Sequence, residues 1–255
     1  MLVLLPFYRP SSVKQASLTR PAFVKILALE TSAQPGEIAV MHDERIVHET
    51  SLPENQRTTQ SFVKAIRTGL HQANWTPQEI DLFAVCEGPG SFTGLRIGLT
   101  AAKTFGYATG AEVIAVPTLE VLADQVDRES TSQVWATLNA QRQQLFVAEF
   151  RLDHGQRPVQ TCSPQIVDAR AWLTELPTGT TVTGSGICGY EEFIPAGVTL
   201  TPTACWKLQA RHLAAMARQR VIANEHQDLW KLVPQYYRQS AAEEKLQSRE
   251  SKAPN

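Results

Sequence analysis

Cysteine is scarce, and no two cysteines stand together. Cys86, Cys162, Cys188 and Cys205 are the only four in 255 residues, and none form a C-x-x-C pair. This argues against a disulfide framework and predicts reduced, mostly buried thiols. Charge of one sign is also missing: 24 Lys plus Arg stand against 25 Asp plus Glu, a net charge of −1. A chain that grips a nucleic-acid backbone unaided carries a basic excess or a basic stripe. Any role in RNA chemistry is therefore expected to run through a partner. No apolar run approaches the roughly 18 residues that cross a bilayer. Residues 1–7 are apolar but interrupted by Pro6 and preceded by no basic region, unlike a secretory signal. These absences predict a cytoplasmic protein with no membrane attachment. Metal-binding pairs are lacking too. His42, His48, His71, His154, His212 and His226 include no H-x-x-x-H spacing.

The composition is that of a globular chain with a real core, long enough for one large domain or two small ones. Residues 1–22 carry Arg9, Lys14 and Arg20 but no acid. They read as a disordered or mis-assigned N-terminal tail, with an organelle-targeting peptide as the alternative. Residues 24–30, 37–41 and 45–51 read as a three-stranded antiparallel meander. Thr58 or Thr59 can cap a helix through residue 72, with Phe62, Val63, Ile66 and Leu70 on its apolar face. Residues 81–86 are apolar after the first position, as in a central strand covered on both faces. A helix over about 94–108 ends at Gly110, a strand covers 112–116, and Pro117 opens a helix to about 126. The second half repeats the order: strands at 133–138, 144–151 and near 164–167, a helix capped by Asp168, a strand at 180–183 and a helix over about 207–223. Two α/β halves follow, residues 23–129 and 130–239, with a polar, mobile tail at 240–255.

The most informative stretch is Gly88-Pro89-Gly90-Ser91-Phe92-Thr93-Gly94, between a strand and a helix. Gly88, Gly90, Ser91 and Thr93 could cradle an anion at the helix start. A tight connection with no ligand explains the same residues. The turn is not a P-loop, since no Lys-Ser/Thr follows, and not a nucleophile elbow, since Pro89 and Thr93 stand where glycines belong. In the helix, Gly94, Gly98, Ala102 and Gly106 fall four apart and make one bare stripe. Each helix-interior glycine costs about 1 kcal/mol against alanine. Close approach of another backbone would offset that cost, either the chain's own sheet or a second subunit. Leu95 and Phe105 flank the stripe. Glu30, at the end of the first strand, is a weak candidate for a catalytic acid.

Three blocks carry a family resemblance. They are Ile26-Leu27-Ala28-Leu29-Glu30-Thr31-Ser32, then Cys86-Glu87-Gly88-Pro89-Gly90-Ser91-Phe92-Thr93-Gly94-Leu95-Arg96-Ile97-Gly98, then Pro117-Thr118-Leu119-Glu120. Together they resemble the TsaB (YeaZ) family, with weaker echoes through Leu138-Asn139-Ala140-Gln141-Arg142, Val182-Thr183-Gly184-Ser185-Gly186 and Pro234-Gln235-Tyr236-Tyr237-Arg238. The resemblance implies an α/β fold of the actin/Hsp70/sugar-kinase (ASKHA) type, with two subdomains, each a mixed sheet flanked by helices. It implies a non-catalytic dimerization subunit for making threonylcarbamoyladenosine beside the tRNA anticodon. It has no cofactor of its own; ATP and a metal ion belong to the partner complex. The implied partners are a TsaD-like catalytic subunit and a TsaE-like P-loop ATPase, with tRNA met only indirectly and a homodimer as a competing state. On that picture Gly94, Leu95, Gly98, Ala102, Phe105 and Gly106, with Phe62 and Ile66, form the partner interface. Related chains usually have Asp where this one has Glu30, often His where it has Thr58, and nucleotide-binding relatives have glycine where it has Ala33-Gln34-Pro35. The alternative is a stand-alone actin-like ATPase or a glycoprotease-like peptidase.

Overall fold

The structure, a computed structural model, describes residues 24–53 and 58–238. The tails expected at 1–22 and 240–255 lie outside the described residues. Ten strands and five α-helices occur among the described residues, in two five-stranded sheets.

The first sheet has the order β3-β2-β1-β4-β5. β1 (Lys25–Glu30), β2 (Glu37–His42) and β3 (Arg45–Ser51) form the antiparallel meander, and β4 (Leu82–Gly88) and β5 (Glu112–Pro117) add in parallel. Successive strand residues point to opposite faces, so each central strand feeds two cores. Leu27, Leu29, Phe83 and Val85 face one way, toward α1 (Thr58–Ala73) and α2 (Phe92–Thr109). Ile26, Ala28, Leu82 and Ala84 face the other. Covering on both faces is why β1 and β4 read as unbroken apolar runs. Phe62, Ile66 and Leu70 are the buried side of α1. α2 is capped at both ends: the Ser91 hydroxyl accepts from the Gly94 amide at 3.2 Å, and Gly110 takes a left-handed φ of 74°.

The second sheet has the order β10-β9-β6-β7-β8. β6 (Gln133–Asn139), β7 (Gln144–Arg151) and β8 (Val159–Asp168) are antiparallel; β9 (Thr181–Thr183) joins β6, and β10 (Thr199–Leu200) joins β9, both in parallel. Its inner face (Val134, Ala136, Leu138, Phe146, Ala148, Phe150) shares one core with α3 (Thr118–Asp124), α5 (Ala210–Ile222) and the first sheet. Its outer face packs Leu145 and Val147 against α4 (Ala169–Thr174) and Trp206. β8 begins earlier than its sequence suggests, since Val159 to Gln165 are mostly exposed and show no apolar alternation.

α5 departs from the expected division at 130–239. It packs on β1, β2, β4 and β5, so this helix belongs with the first sheet. Its small buried residues, Ala210, Ala214 and Ala217, let it lie close to that sheet. The chain after α5 then runs along the first subdomain. The Gln227 side chain accepts from the Ala115 amide at 2.7 Å and donates to the Ala115 carbonyl at 3.0 Å. One side-chain amide thereby stands in for a neighbouring strand at the open edge of β5.

Candidate functional site

A cleft of about 870 Å³ lies between the two subdomains. Ser32 to Gln34 and Pro89 to Thr93 line it from the first subdomain, Leu138 to Arg142 and Ser185 from the second, and Gln235 to Arg238 from the C-terminal segment. No aspartate or glutamate is among the residues lining it.

Glu30 lies beneath this cleft and is 0% exposed. Its Oε1 accepts from the Ser32 amide at 2.6 Å, from the Ser32 hydroxyl and from the Ala33 amide at 3.3 Å. Its Oε2 has no hydrogen-bond partner. Burial pushes its pKa up to about 7, against the opposing pull of the Ser32 and Ala33 donors. Near neutral pH the carboxyl is therefore close to half protonated. Chemically it braces the turn after β1, and no dissolved substrate reaches it. Cys86 is also sealed in, its thiol pushed well up by burial, with Glu30, Ser32 and Thr118 around it.

The glycine-rich turn is packed against the chain's own backbone. The Ser91 amide donates to the Ser32 carbonyl at 2.7 Å, and the Ser91 hydroxyl caps its own helix. A Cβ at position 90 would stand 2.5 Å from the Ser32 carbonyl oxygen. Tight packing accounts for the glycines without a ligand. Gly90, Ser91 and Thr93 do line the cleft, while Gly88 lies behind it against Gln235.

The bare stripe on α2 faces inward, contrary to the expected partner interface. A Cβ on Gly94 would fall 1.8 Å from the Thr31 carbonyl oxygen, and one on Gly98 2.4 Å from Thr31 Oγ1. Thr31 Oγ1 in turn donates to the Gly94 carbonyl at 2.7 Å. Gly94, Leu95, Gly98, Ala102 and Gly106 are buried, as are Phe62 and Ile66 of α1; Phe105 is half-buried and stacks on Phe83. Of the two readings of the stripe, the chain's own sheet is the one that meets it. α2 leaves Thr93, Arg96, Thr100, Thr104, Tyr107 and Ala108 exposed, and α1 leaves Val63 exposed. Among the described residues no group of three His, Cys, Asp or Glu could hold a metal ion, and no helix is long and apolar enough to cross a membrane.

Residues 235–238 were not among the expected site residues. The aromatic pair and arginine of Gln235-Tyr236-Tyr237-Arg238, after a proline, were the available signal, but nothing local says that they return to the cleft.

Two mixed sheets with helices on their faces and a cleft between them define an ASKHA-type protein. Residues 53–182 match the family model of TsaD, tRNA N6-adenosine threonylcarbamoyltransferase. The TsaB protein of Escherichia coli K12, a tRNA threonylcarbamoyladenosine biosynthesis protein, is 27% identical over 248 residues, 89% of this chain and 100% of that one. The Bacillus subtilis TsaB is 30% identical over 132 residues, 51% of this chain and 56% of that one. The solved YeaZ from Pseudomonas aeruginosa superposes with a TM-score of 0.70 at 23% identity, over 84% of this chain and 99% of that one. The chain belongs to the TsaD-related family, within its TsaB (YeaZ) group.

Proposed function

We propose that the chain is a non-catalytic subunit of the machinery that makes threonylcarbamoyladenosine on tRNA, acting as partner to a TsaD-like catalytic chain. The observation that carries this reading is the match along the full length of the E. coli protein named for that biosynthesis. The state of Glu30 supports the non-catalytic part. The one carboxyl that sequence offered as an acid is wholly buried and engaged in bracing a turn. On this reading the ATP, the metal ion and the transfer chemistry belong to the TsaD-like and TsaE-like partners, and tRNA is met through them.

The partner surface in this proposal is the outer face of α2 with the exposed edge of α1. Arg96, Thr100, Thr104 and Tyr107 follow one another at helical spacing on the side opposite the buried stripe. An exposed ridge mixing one arginine, one tyrosine and small hydroxyls suits a helix-to-helix contact.

The test is reconstitution. The chain is mixed with TsaD-like and TsaE-like proteins from its own organism, tRNA, ATP and threonylcarbamoyl-adenylate as the group donor, and the modified adenosine is measured after nuclease digestion. Modification is expected only when this chain is present, and Glu30→Gln is expected to retain most of it. Equal modification without the chain would overturn the proposal. Turnover of ATP by the chain alone, lost in Glu30→Gln, would overturn its non-catalytic part.

A further inference from the structure

Residues 232–238 cross from one subdomain to the other at the wall of the cleft. Their first half is fixed to the first subdomain. The Lys103 ammonium donates to the Leu232 carbonyl at 3.0 Å. The Gln235 amide donates to the Glu87 carbonyl at 2.7 Å, and its side-chain Nε2 donates to Glu87 Oε1 at 2.9 Å. Gly88 provides the seat. Its φ is +127°, and a Cβ there would stand 2.5 Å from the Gln235 carbonyl oxygen. Tyr236 stacks on Phe92 at a 4.5 Å centroid distance and accepts from Arg96 Nε at 2.8 Å.

The far end is fixed to the second subdomain. The Arg238 guanidinium donates to the Ala140 carbonyl at 2.5 Å and to the Gln144 side-chain carbonyl. Tyr237 meets Phe146 edge-on at 6.3 Å. Ala140 and Gln144 close the turn between β6 and β7, where the Ala140 amide donates to the Gln144 carbonyl at 2.9 Å. Within that turn Gln141, Arg142 and Gln143 have φ of 64°, 55° and 59°. Three successive non-glycine residues in the left-handed region persist only where the surroundings hold them. Arg238 reaches the two residues that bracket them.

We propose that residues 232–238 are a tie that sets the opening of the cleft, with Arg238 as its pin on the second subdomain. The core around α3 and α5 already joins the two sheets. One attachment leaves a hinge; a second attachment across the cleft removes that freedom. A planar guanidinium suits the role because it holds two acceptors in fixed relative positions, which an ammonium group does not. The tie shares Arg96 with the proposed partner surface, but what it predicts is the spacing of the two subdomains in the isolated chain, which does not depend on the proposed function.

The test uses the full chain with Cys162, Cys188 and Cys205 replaced by serine and spin labels at Lys64→Cys on α1 and Glu175→Cys after α4. Both label sites are exposed. Pulsed electron paramagnetic resonance reads the distance distribution between the subdomains. Arg238→Ala is expected to broaden that distribution about two-fold while circular dichroism shows a folded protein, with Arg238→Lys intermediate. A folded Arg238→Ala variant with the parent's distribution would overturn the tie. Should Arg238→Ala fail to fold, Gln144→Ala, which removes one of the two acceptors, is read in the same way.

Discussion

The two long faces of α2 do opposite things. The inner face has almost no side chain, because Thr31 lies against Gly94 and Gly98, and Val113 against Gly106. The outer face turns Thr100 and Thr104 to solvent, with Arg96 against Tyr236 and Tyr107 edge-on to Trp230. The inner face makes the helix part of the fold, and the outer face is the one our proposal gives to a partner. A bare ridge therefore marks close approach without saying whose backbone approaches. Here the glycines permit the fold itself, so they cannot also be the docking surface.

That contrast can be broken most sharply from the inside. Gly94→Val places a Cβ 1.8 Å from the Thr31 carbonyl oxygen, a backbone atom that cannot swing aside. We expect no folded monomer by circular dichroism, an overpacking cost above the usual range of about 1–3 kcal/mol. Gly98→Leu should behave similarly, lowering the denaturation midpoint; a fully stable monomer that only loses its partner would restore the stripe as an interface.

The next largest effect concerns Glu30 and pH. Its folded pKa, about 7, lies above the ordinary glutamate value of 4.5. A raised acid holds its proton longer in the folded state, so its contribution is greatest below pH 4.5. It is lost as pH rises toward 7 and is flat beyond. The loss is about 3 kcal/mol, since each tenfold change in acidity between the folded and unfolded states corresponds to about 1.4 kcal/mol. Glu37, also raised to about 7 by burial and by Glu49, adds in the same direction but is partly exposed and weaker. Urea titrations at several pH values should show this fall in the parent and a markedly flatter profile in Glu30→Gln. An unchanged profile would show that the buried carboxyl is not its source.

A smaller effect is expected beside α2, at the sheet edge. Gln227→Ala strips the Ala115 amide and carbonyl of their side-chain partner. The expected cost is about 1–2 kcal/mol in denaturant unfolding, with the partner affinity unchanged. Smallest in stability are changes on the outer face. Thr100→Glu and Tyr107→Ala should each move the unfolding free energy by less than about 1 kcal/mol. Each should still weaken binding of the TsaD-like partner about ten-fold by titration calorimetry. Unaltered affinity in both would remove the outer face from the proposed interface.

Much of this was legible locally. β1 and β4 announce themselves as apolar runs because both faces are covered. Asp168 was readable as a cap, and its carboxylate accepts from the Ala171 amide at 2.9 Å. Gly110 was readable as a stop, and it holds the left-handed φ that ends α2. β8 was legible only in part, because a mostly exposed edge strand needs no apolar alternation. The cleft was half legible: its glycine-rich wall stood out, whereas its C-terminal wall did not, since Arg238 meets Ala140 and Gln144 across about a hundred residues.

What the sequence determined by itself was the order of the longer elements, the Asp168 cap, the Gly110 stop and the existence of a bare ridge on α2, because these follow from the conformational preferences and periodicity of neighbouring residues. The direction in which that ridge faces, the burial of Glu30, the return of α5 to the first sheet and the tie across the cleft were decided by tertiary structure. Each depends on which distant surface arrives, and a helix with one smooth side fits any backbone close enough to fill it.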